Sequence, residues 1–387
     1  MDPSPQAQPE AAAQALSVEP PLTISQRIQV FRDRHARLEI ALVLVAGFAF
    51  DVFTLARIDN LSNLLQQGGY LLALGLLLAF ELYTRLRRPE PIRGLGWLWR
   101  YHELGTHFFL GSLLSAFALY FFKSASSVSA FFFLAIMFGL LVANELPRFQ
   151  KLGPIARFAL YALCLTAYTS YLLPVLAGKL AGWLFVLSVI VASLPIAGLY
   201  LLAVRWSGER KTALRQVAGP ALAMQVALLG LYFAGAIPPL PLSLQYIGIF
   251  HDVKKDEAGY QLFHERAAWR FWERGDQQFR FREGDKVFVF ASVFAPMSVQ
   301  KGNLPLHFHW FYDDPQKGWQ PSGQWTYGGL VGGRAEGFRI FATRSDPKPG
   351  KWRVEIRAPD GREVGSIRFK VIPDDRTEER MFQIQPG

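Results

Sequence analysis

The feature that most constrains this chain is a succession of long apolar segments between about residue 37 and residue 245, joined by short connections. A helix needs ~20 mostly apolar residues to cross a bilayer. Seven segments meet that length, near 38–57, 68–86, 104–122, 128–147, 155–175, 181–204 and 217–236. The chain has 387 residues, 51% of them hydrophobic, and the apolar excess is concentrated in this part. The expectation is a seven-helix transmembrane domain followed by a water-soluble part. Cys164, the one cysteine, lies inside an apolar run, so no disulfide within the chain is possible.

The connections carry their Lys and Arg in alternation. Arg27, Arg32, Arg34 and Arg37 precede the first segment, and Arg87, Arg88, Arg93 and Arg100 follow the second. Arg148, Lys151 and Arg157 follow the fourth, and Arg205, Arg210, Lys211 and Arg215 the sixth. The intervening connections hold little beyond Arg57, Lys123 and Lys179. This positive-inside pattern predicts a cytoplasmic N-terminus, and an odd span count puts everything after residue 237 outside. Trp97, Trp99, Trp183 and Trp206 fall at segment ends, where indole favours the headgroup zone. The net charge of +10 sits mostly beside apolar segments, so topology explains it and nucleic acid is not an expected partner.

The layout expected is a disordered tail over 1–36, a membrane domain over 37–237, a linker with first strands over 238–274, a β-domain over 275–373 and a tail over 374–387. The first 24 residues are rich in Pro, Ala and Gln. They lack the basic start and apolar core of a signal peptide, so the segment from 38 reads as an uncleaved signal anchor.

Asp51, Glu81, Asn144 and Glu145 lie in or at the ends of spans. A charge at the bilayer centre costs at least ~2.5–3.5 kcal/mol, which makes such residues functional candidates. Glu81 and Glu145 lie near their segment ends, within reach of Arg85, Arg87, Arg88 and Arg148, so an ion pair is the competing reading; Asp51 is deeper, with Arg57 beyond it. In YHELGTH, 101–107, His102 and His107 are five apart, whereas the zinc-protease helix needs histidines four apart on one face. His102, His107, Glu81 and Glu145 remain a candidate polar cluster. Pro195 and Pro220 can each kink a helix by removing a backbone donor.

After Pro238, Pro239 and Pro241 the apolar period changes to that of strands. DKVFVFASVFAP, 285–296, is apolar on both faces and predicts a central strand. KWRVEIR alternates Trp352, Val354 and Ile356 against Arg353, Glu355 and Arg357; PDG turns the chain, and GSIRFKV returns with Ile367, Phe369 and Val371 on the inner face. Six to eight short strands predict an all-β antiparallel sandwich of immunoglobulin-like architecture.

FREGDKVFVFASVFAPMSV, GGRAEGFRIFATR and PGKWRVEIRAPDGREVGSIRFKV, with the His-Trp strand between them, resemble a bacterial C-terminal domain, domain of unknown function 2914. The resemblance covers roughly 275–372 and implies a bacterial envelope protein; it brings no catalytic residues and no cofactor. GGLVGGRAEG lacks the Gly-Lys-Ser/Thr ending of a phosphate loop, and Arg334 within it is a candidate binding residue. Trp310, Trp319 and Trp325 are candidates for an aromatic platform, and Trp352 belongs to the inner face.

In LPLHFHWFYDD, 304–314, His307 and His309 share one strand face while Leu306, Phe308 and Trp310 share the other. A metal site needs a third and usually a fourth ligand, and His251, His264, Asp313 and Asp314 offer none at a diagnostic spacing. No metal is therefore expected, and the pair is carried as a surface or partner contact. The expected function is an inner-membrane protein whose periplasmic domain binds a protein partner or an envelope polymer. The alternative is a carrier or flippase that uses Asp51, Glu81 and Glu145.

Overall fold

The structure, a computed structural model, describes residues 61–87, 96–125, 128–145, 153–257, 259–267, 269–270, 272–295, 304–330 and 337–387. It has a helical part and a β-rich part. The helices are α1 (Leu61–Arg87), α2 (Gly96–Ser124), α3 (Val128–Glu145), α4 (Pro154–Ala177), α5 (Gly182–Ser207) and α6 (Arg210–Phe233). Five of them, all but α3, are long and apolar enough to cross a membrane. Among the described residues five of the expected seven spans stand. The apolar part of α3, Ala130–Asn144, is shorter than the other five, and the segment at 38–57 lies outside the described residues.

Helix α4 is the centre of the helical part. Pro154 opens it at a position that needs no backbone donor, and Gly178, at φ 66°, closes it in the left-handed region. In its apolar window 67% of residues are buried, against 28% for α1 and α6. The outward leucines of α1, among them Leu65, Leu72 and Leu76, are exposed. Apolar faces of that extent call for apolar surroundings.

Polar contacts tie the helices together. Gly68 and Gly75 stand two turns apart on α1, and a Cβ at either would lie 2.9 Å from the Tyr168 hydroxyl or 2.5 Å from that of Tyr161. Each hydroxyl donates to an α1 carbonyl, Tyr168 to Leu64 at 3.0 Å and Tyr161 to Leu71 at 3.4 Å. The missing side chains let α4 approach closely, as small residues do in membrane helices. Buried Gln67 donates to the Tyr120 hydroxyl at 3.0 Å and accepts from that of Tyr171. Thr169 and Ser188 exchange hydrogen bonds between α4 and α5 at 2.9 and 3.1 Å. In α6 a π turn, Leu214–Ala218, precedes Pro220, with the Gly219 N–H donating to the Leu214 carbonyl.

The β-rich part holds eleven strands among the described residues. They are β1 (Ser243–Phe250), β2 (Asp252–Lys255), β3 (Tyr260–His264), β4 (Gln278–Phe281), β5 (Lys286–Phe294), β6 (Leu304–Asp314), β7 (Gly318–Leu330), β8 (Phe338–Ser345), β9 (Gly350–Arg357), β10 (Glu363–Pro373) and β11 (Gln383–Pro386). They form three sheets, ordered β1-β5-β8, β4-β10-β9-β6-β7 and β11-β3-β2. Strand β5 is central in its sheet, as its two apolar faces predict. The named pairs are antiparallel except β4 with β10, which is parallel and departs from the expected all-antiparallel arrangement. Strand β4 enters only after a long excursion from β3, so no tight turn dictates its direction.

The first two sheets share one buried cluster. Val287, Val289 and Ala291 of β5 and Ile340 of β8 meet Leu306, Phe308 and Trp310 of β6, Trp352, Val354 and Ile356 of β9 and Phe369 of β10. The alternation in KWRVEIR and GSIRFKV thus has its inner set in the core. The β9–β10 turn closes through Ala358 N–H to the Arg362 carbonyl at 2.9 Å, with Gly361 at φ 84°. Strand β1, within the 238–274 stretch expected to hold the first strands, belongs to this core. Strand β11 puts the expected tail into a sheet.

Candidate functional site

Strands β6, β9 and β10 send their alternate side chains out of the five-stranded sheet, opposite the core. On this face His309 stands across from Glu355, and His307 across from Arg357. Glu355 is buried between two guanidinium groups, with Arg353 Nη2 at 2.8 Å and Arg357 Nη2 at 2.7 Å. Arg353 lies over Phe311 at 4.9 Å and over Trp319 at 5.3 Å, and Arg368 over Trp319 at 6.0 Å. Such stacking leaves in-plane N–H donors free to face solvent or a partner. His307 Nδ1 lies 3.0 Å from the Thr326 hydroxyl and 3.4 Å from the Gln324 amide, which suits an Nε2–H tautomer accepting at Nδ1. Burial, then Arg357 and His307, hold the His309 imidazole below its usual pKa. With Lys351 and Lys370, the face carries five cations on β9 and β10, balanced on those strands by Glu355 and by Glu363 opposite Arg357.

At the Arg357 end this face meets a crevice of about 590 Å³ between the β9–β10 turn and the helix ends. Its floor is Trp183 and Val186 of α5 with Tyr232 and Phe233 of α6; its roof is Arg357, Asp360, Arg362 and Glu363. Arg362 is engaged on every side. It donates to Asp360 through Nε and Nη2 at 2.8 and 2.7 Å, donates to the Pro238 carbonyl at 2.9 Å and covers the Tyr232 ring.

A second ionic cluster lies beside the β11-β3-β2 sheet, the small sheet. Arg380, nearly buried, contacts Asp285 at 2.8 Å and Asp374 at 3.3 Å, and Asp374 also pairs with Arg282 and Arg376. Hydrogen bonds from Arg376 and Arg282 hold Asp374 well below the usual carboxylate range. Beneath it His251 stacks on Phe279, centroids 4.0 Å apart, with Nε2 3.6 Å from Asp276 and 3.9 Å from Glu265. Burial pushes Asp276 up to about 7 and His251 down to about 4.

Residues 306–371 match the family model described as protein of unknown function, DUF2914. The DUF2914 region begins in β6 and ends in β10, so it contains the whole histidine, arginine and tryptophan face. No curated protein matches the chain. Among solved structures, an immunoglobulin-like protein from Pseudomonas aeruginosa is similar at 14% identity, over 34% of this chain and 96% of that one, with a TM-score of 0.21. The alkylpurine DNA glycosylase AlkC of Pseudomonas fluorescens, bound to DNA with an abasic site analog, is similar at 10% identity over 79% of this chain and 99% of that one, with a TM-score of 0.19. Scores at this level carry no argument about this chain.

The sequence candidates separate on this frame. His307 and His309 lie on the outer face of the DUF2914 region, ring centroids 6.4 Å apart. Among the described residues no three His, Cys, Asp or Glu side chains stand close enough to hold a metal. His251 and His264 belong to the small-sheet side, Asp313 lies 4.0 Å from Lys351, and Asp314 accepts from the N–H groups of Gln316 and Lys317 in the β6–β7 turn. Trp310 is buried beside Trp352 and Phe369, so its ring cannot serve as an open platform. Trp319 is half-buried under its arginines, and Trp325 is 51% exposed. Arg334 lies outside the described residues.

In the helices, Glu81 is buried and contacts Arg157 Nη1 at 2.6 Å and Arg85 Nε at 3.1 Å; Arg157 reaches Glu103 at 3.5 Å. The approach of Arg157 is close but lies off a hydrogen-bonding line, so it is a charge contact rather than an aligned bond. His102 packs edge-on against Phe80, His107 is half-buried, and Asn144 is buried. Asp51 and the side chain of Glu145 lie outside the described residues. Reasoning from sequence missed Arg353, Glu355, Arg368, Glu363 and the His251–Asp276 pair. The outward set of KWRVEIR was a usable signal for the first two.

Proposed function

We propose that this is an inner-membrane protein with a cytoplasmic N-terminus, and that its DUF2914 region belongs to a periplasmic immunoglobulin-like sandwich that binds an acidic partner. Two sheets contributing to one core support the sandwich reading. Apolar helices and the alternating Lys and Arg of their connections support the topology. The observation that carries the binding role is Trp319 held by Arg353 and Arg368 beside the buried Glu355. Arginine and aromatic groups are enriched where interfaces gain their energy. An array with five cations suits a polyanionic envelope polymer or an acidic protein surface. The alternative of a carrier finds less support, because Glu81 is already held by two arginines.

The test uses the full chain reconstituted in bilayer discs, with fractionated envelope polymers and proteins as probes. Binding that weakens with salt and is lost in Arg353→Glu/Arg368→Glu is the expected result. Equal retention by the wild type and the reversed variant, or no binding by either, would overturn the role. Topology is tested separately with Lys286→Cys, on an exposed strand start. A membrane-impermeant maleimide should label it in intact spheroplasts, and labelling only after lysis would reverse the orientation.

A further inference from the structure

We propose that the crevice between the β9–β10 turn and the ends of α5 and α6 is a headgroup site for a glycerophospholipid with a primary-amine headgroup. The inference rests on the reading that the helices lie in a membrane with this junction at its surface.

The floor is apolar and open. Trp183 is 55% exposed, Phe233 74% and Val186 37%, all at the ends of apolar helices. Lys179 Nζ lies 5.5 Å from the Trp183 ring. An indole with a neighbouring cation is the usual furniture of a bilayer's headgroup zone. Acyl chains passing along Val186 and Phe233 would leave a headgroup under the roof.

The roof is polar and incompletely satisfied. Arg362 and Asp360 satisfy each other and the junction, so they shape the site without offering it a partner. Arg357 and Glu363 differ. They are directly opposed in the β9–β10 register, yet no ion pair within 4 Å joins them. Arg357 turns to Glu355 and spends Nε and Nη2 there. Glu363 has the Ser366 hydroxyl beside its carboxylate, yet keeps Oε1 out of solvent with no hydrogen-bond partner where it lines the crevice. A shielded carboxylate oxygen with no donor is costly.

One donor-poor carboxylate beside one guanidinium with spare N–H groups is the complement of a zwitterion. A phosphate diester fits the guanidinium, and an ammonium with N–H donors fits Oε1. A trimethylammonium group has no such donor. A headgroup with net negative charge would meet Glu363 and Asp360 without the compensating cation. The volume suits a headgroup and glycerol rather than a whole lipid.

The experiment is native mass spectrometry of the detergent-solubilised full chain, titrated with phosphatidylethanolamine, phosphatidylcholine, phosphatidylglycerol and soluble phosphoethanolamine. The ethanolamine lipid should bind roughly tenfold more tightly than the other two lipids, the scale of one charge-assisted hydrogen bond. Glu363→Gln should erase that preference and leave binding of the choline lipid unchanged. It removes a carboxylate that burial already disfavours, so the variant should fold. Arg357→Gln should weaken the ethanolamine and glycerol lipids together. Equal binding of all three lipids, or a preference untouched by Glu363→Gln, identifies boundary lipid only and overturns the site. Phosphoethanolamine binding as tightly as the lipid would also overturn it, because the apolar floor would then contribute nothing. Carbonate extraction separates the two readings. A chain that stays in stripped membranes without an ethanolamine preference loses only the site; a chain that washes off loses the membrane placement as well.

Discussion

Arg362, in the turn between β9 and β10, lies over the ring of Tyr232 at the end of α6, its guanidinium carbon 5.0 Å from the ring centroid. The same side chain holds the fully buried Asp360 and the carbonyl of Pro238. One residue thus joins the β-rich part, the proline exit and the last helix. Arg362→Ala should cost about 3–5 kcal/mol, because it strands a buried carboxylate. Asp360→Ala/Arg362→Ala should recover much of that loss, and Tyr232→Leu alone should cost less, about 0.5–2 kcal/mol. Thermal unfolding of the solubilised chain ranks the three. A single Arg362→Ala variant as stable as the wild type would refute the joint.

Glu81 poses a similar problem inside the helical part. Its carboxylate is buried against Arg157, itself nearly buried, with Arg85 as second partner. Glu81→Gln removes the charge and leaves Arg157 only the longer contact to Glu103. The expected loss is about 3 kcal/mol, seen as earlier thermal aggregation in detergent. Glu81→Leu/Arg157→Leu should be milder than the single change. An unchanged aggregation temperature for Glu81→Gln together with loss of a transport phenotype would favour the carrier reading instead.

What the sequence made legible was local and periodic. The β9–β10 hairpin, its inner set of Trp352, Val354 and Ile356, and the shared outer face of His307 and His309 follow from a period of two. Five helices follow from apolar length. What stayed hidden depends on pairing between distant segments. Trp319 gains its meaning from Arg353 and Arg368, and only the register of β6, β7, β9 and β10 brings them together. Arg157 reaches Glu81 from another helix, which charge counting in connections cannot specify. Trp310 falls on the apolar strand face and is also a platform candidate by sequence, and its burial leaves it to the core. The parallel pairing of β4 and the union of His251 with Asp276 likewise cross long stretches of chain.

The two glycines of α1 give a packing test. A Cβ on Gly75 would stand 2.5 Å from the Tyr161 hydroxyl, closer than real contacts allow. Gly75→Ala should therefore destabilise the helical part by about 1–3 kcal/mol despite the better helix propensity of alanine. Tyr161→Phe removes the obstructing oxygen, so Gly75→Ala/Tyr161→Phe should be more stable than Gly75→Ala alone. Thermal unfolding in detergent reads both, and strictly additive losses would show that the contact does not limit the approach of α4.

The His251–Asp276 pair predicts a pH dependence with a hidden compensation. His251 is held down at about 4, below its ordinary ~6.5, so the native state binds fewer protons than the unfolded chain. Its contribution to stability is complete above pH ~6.5 and is lost as pH falls toward about 4. Asp276 is lifted to about 7 from an ordinary ~3.9, so its contribution is complete below pH ~3.9 and is lost as pH rises through about 7. Across the shared window of about pH 4 to 6.5 the two slopes oppose each other, and the wild type should show little net dependence from this pair. Asp276→Asn should unmask stability that rises with pH, and His251→Gln stability that falls with pH. Either slope is at most about 1.4 kcal/mol per pH unit. The neighbouring Glu265, Asp285, Asp374, Arg376 and Arg380 stay in place in both variants, so their common background cancels in the comparison. Denaturant midpoints followed by tryptophan fluorescence across that window decide the matter: slopes of the same sign in the two variants would show that the pair does not exchange protons as its burial requires.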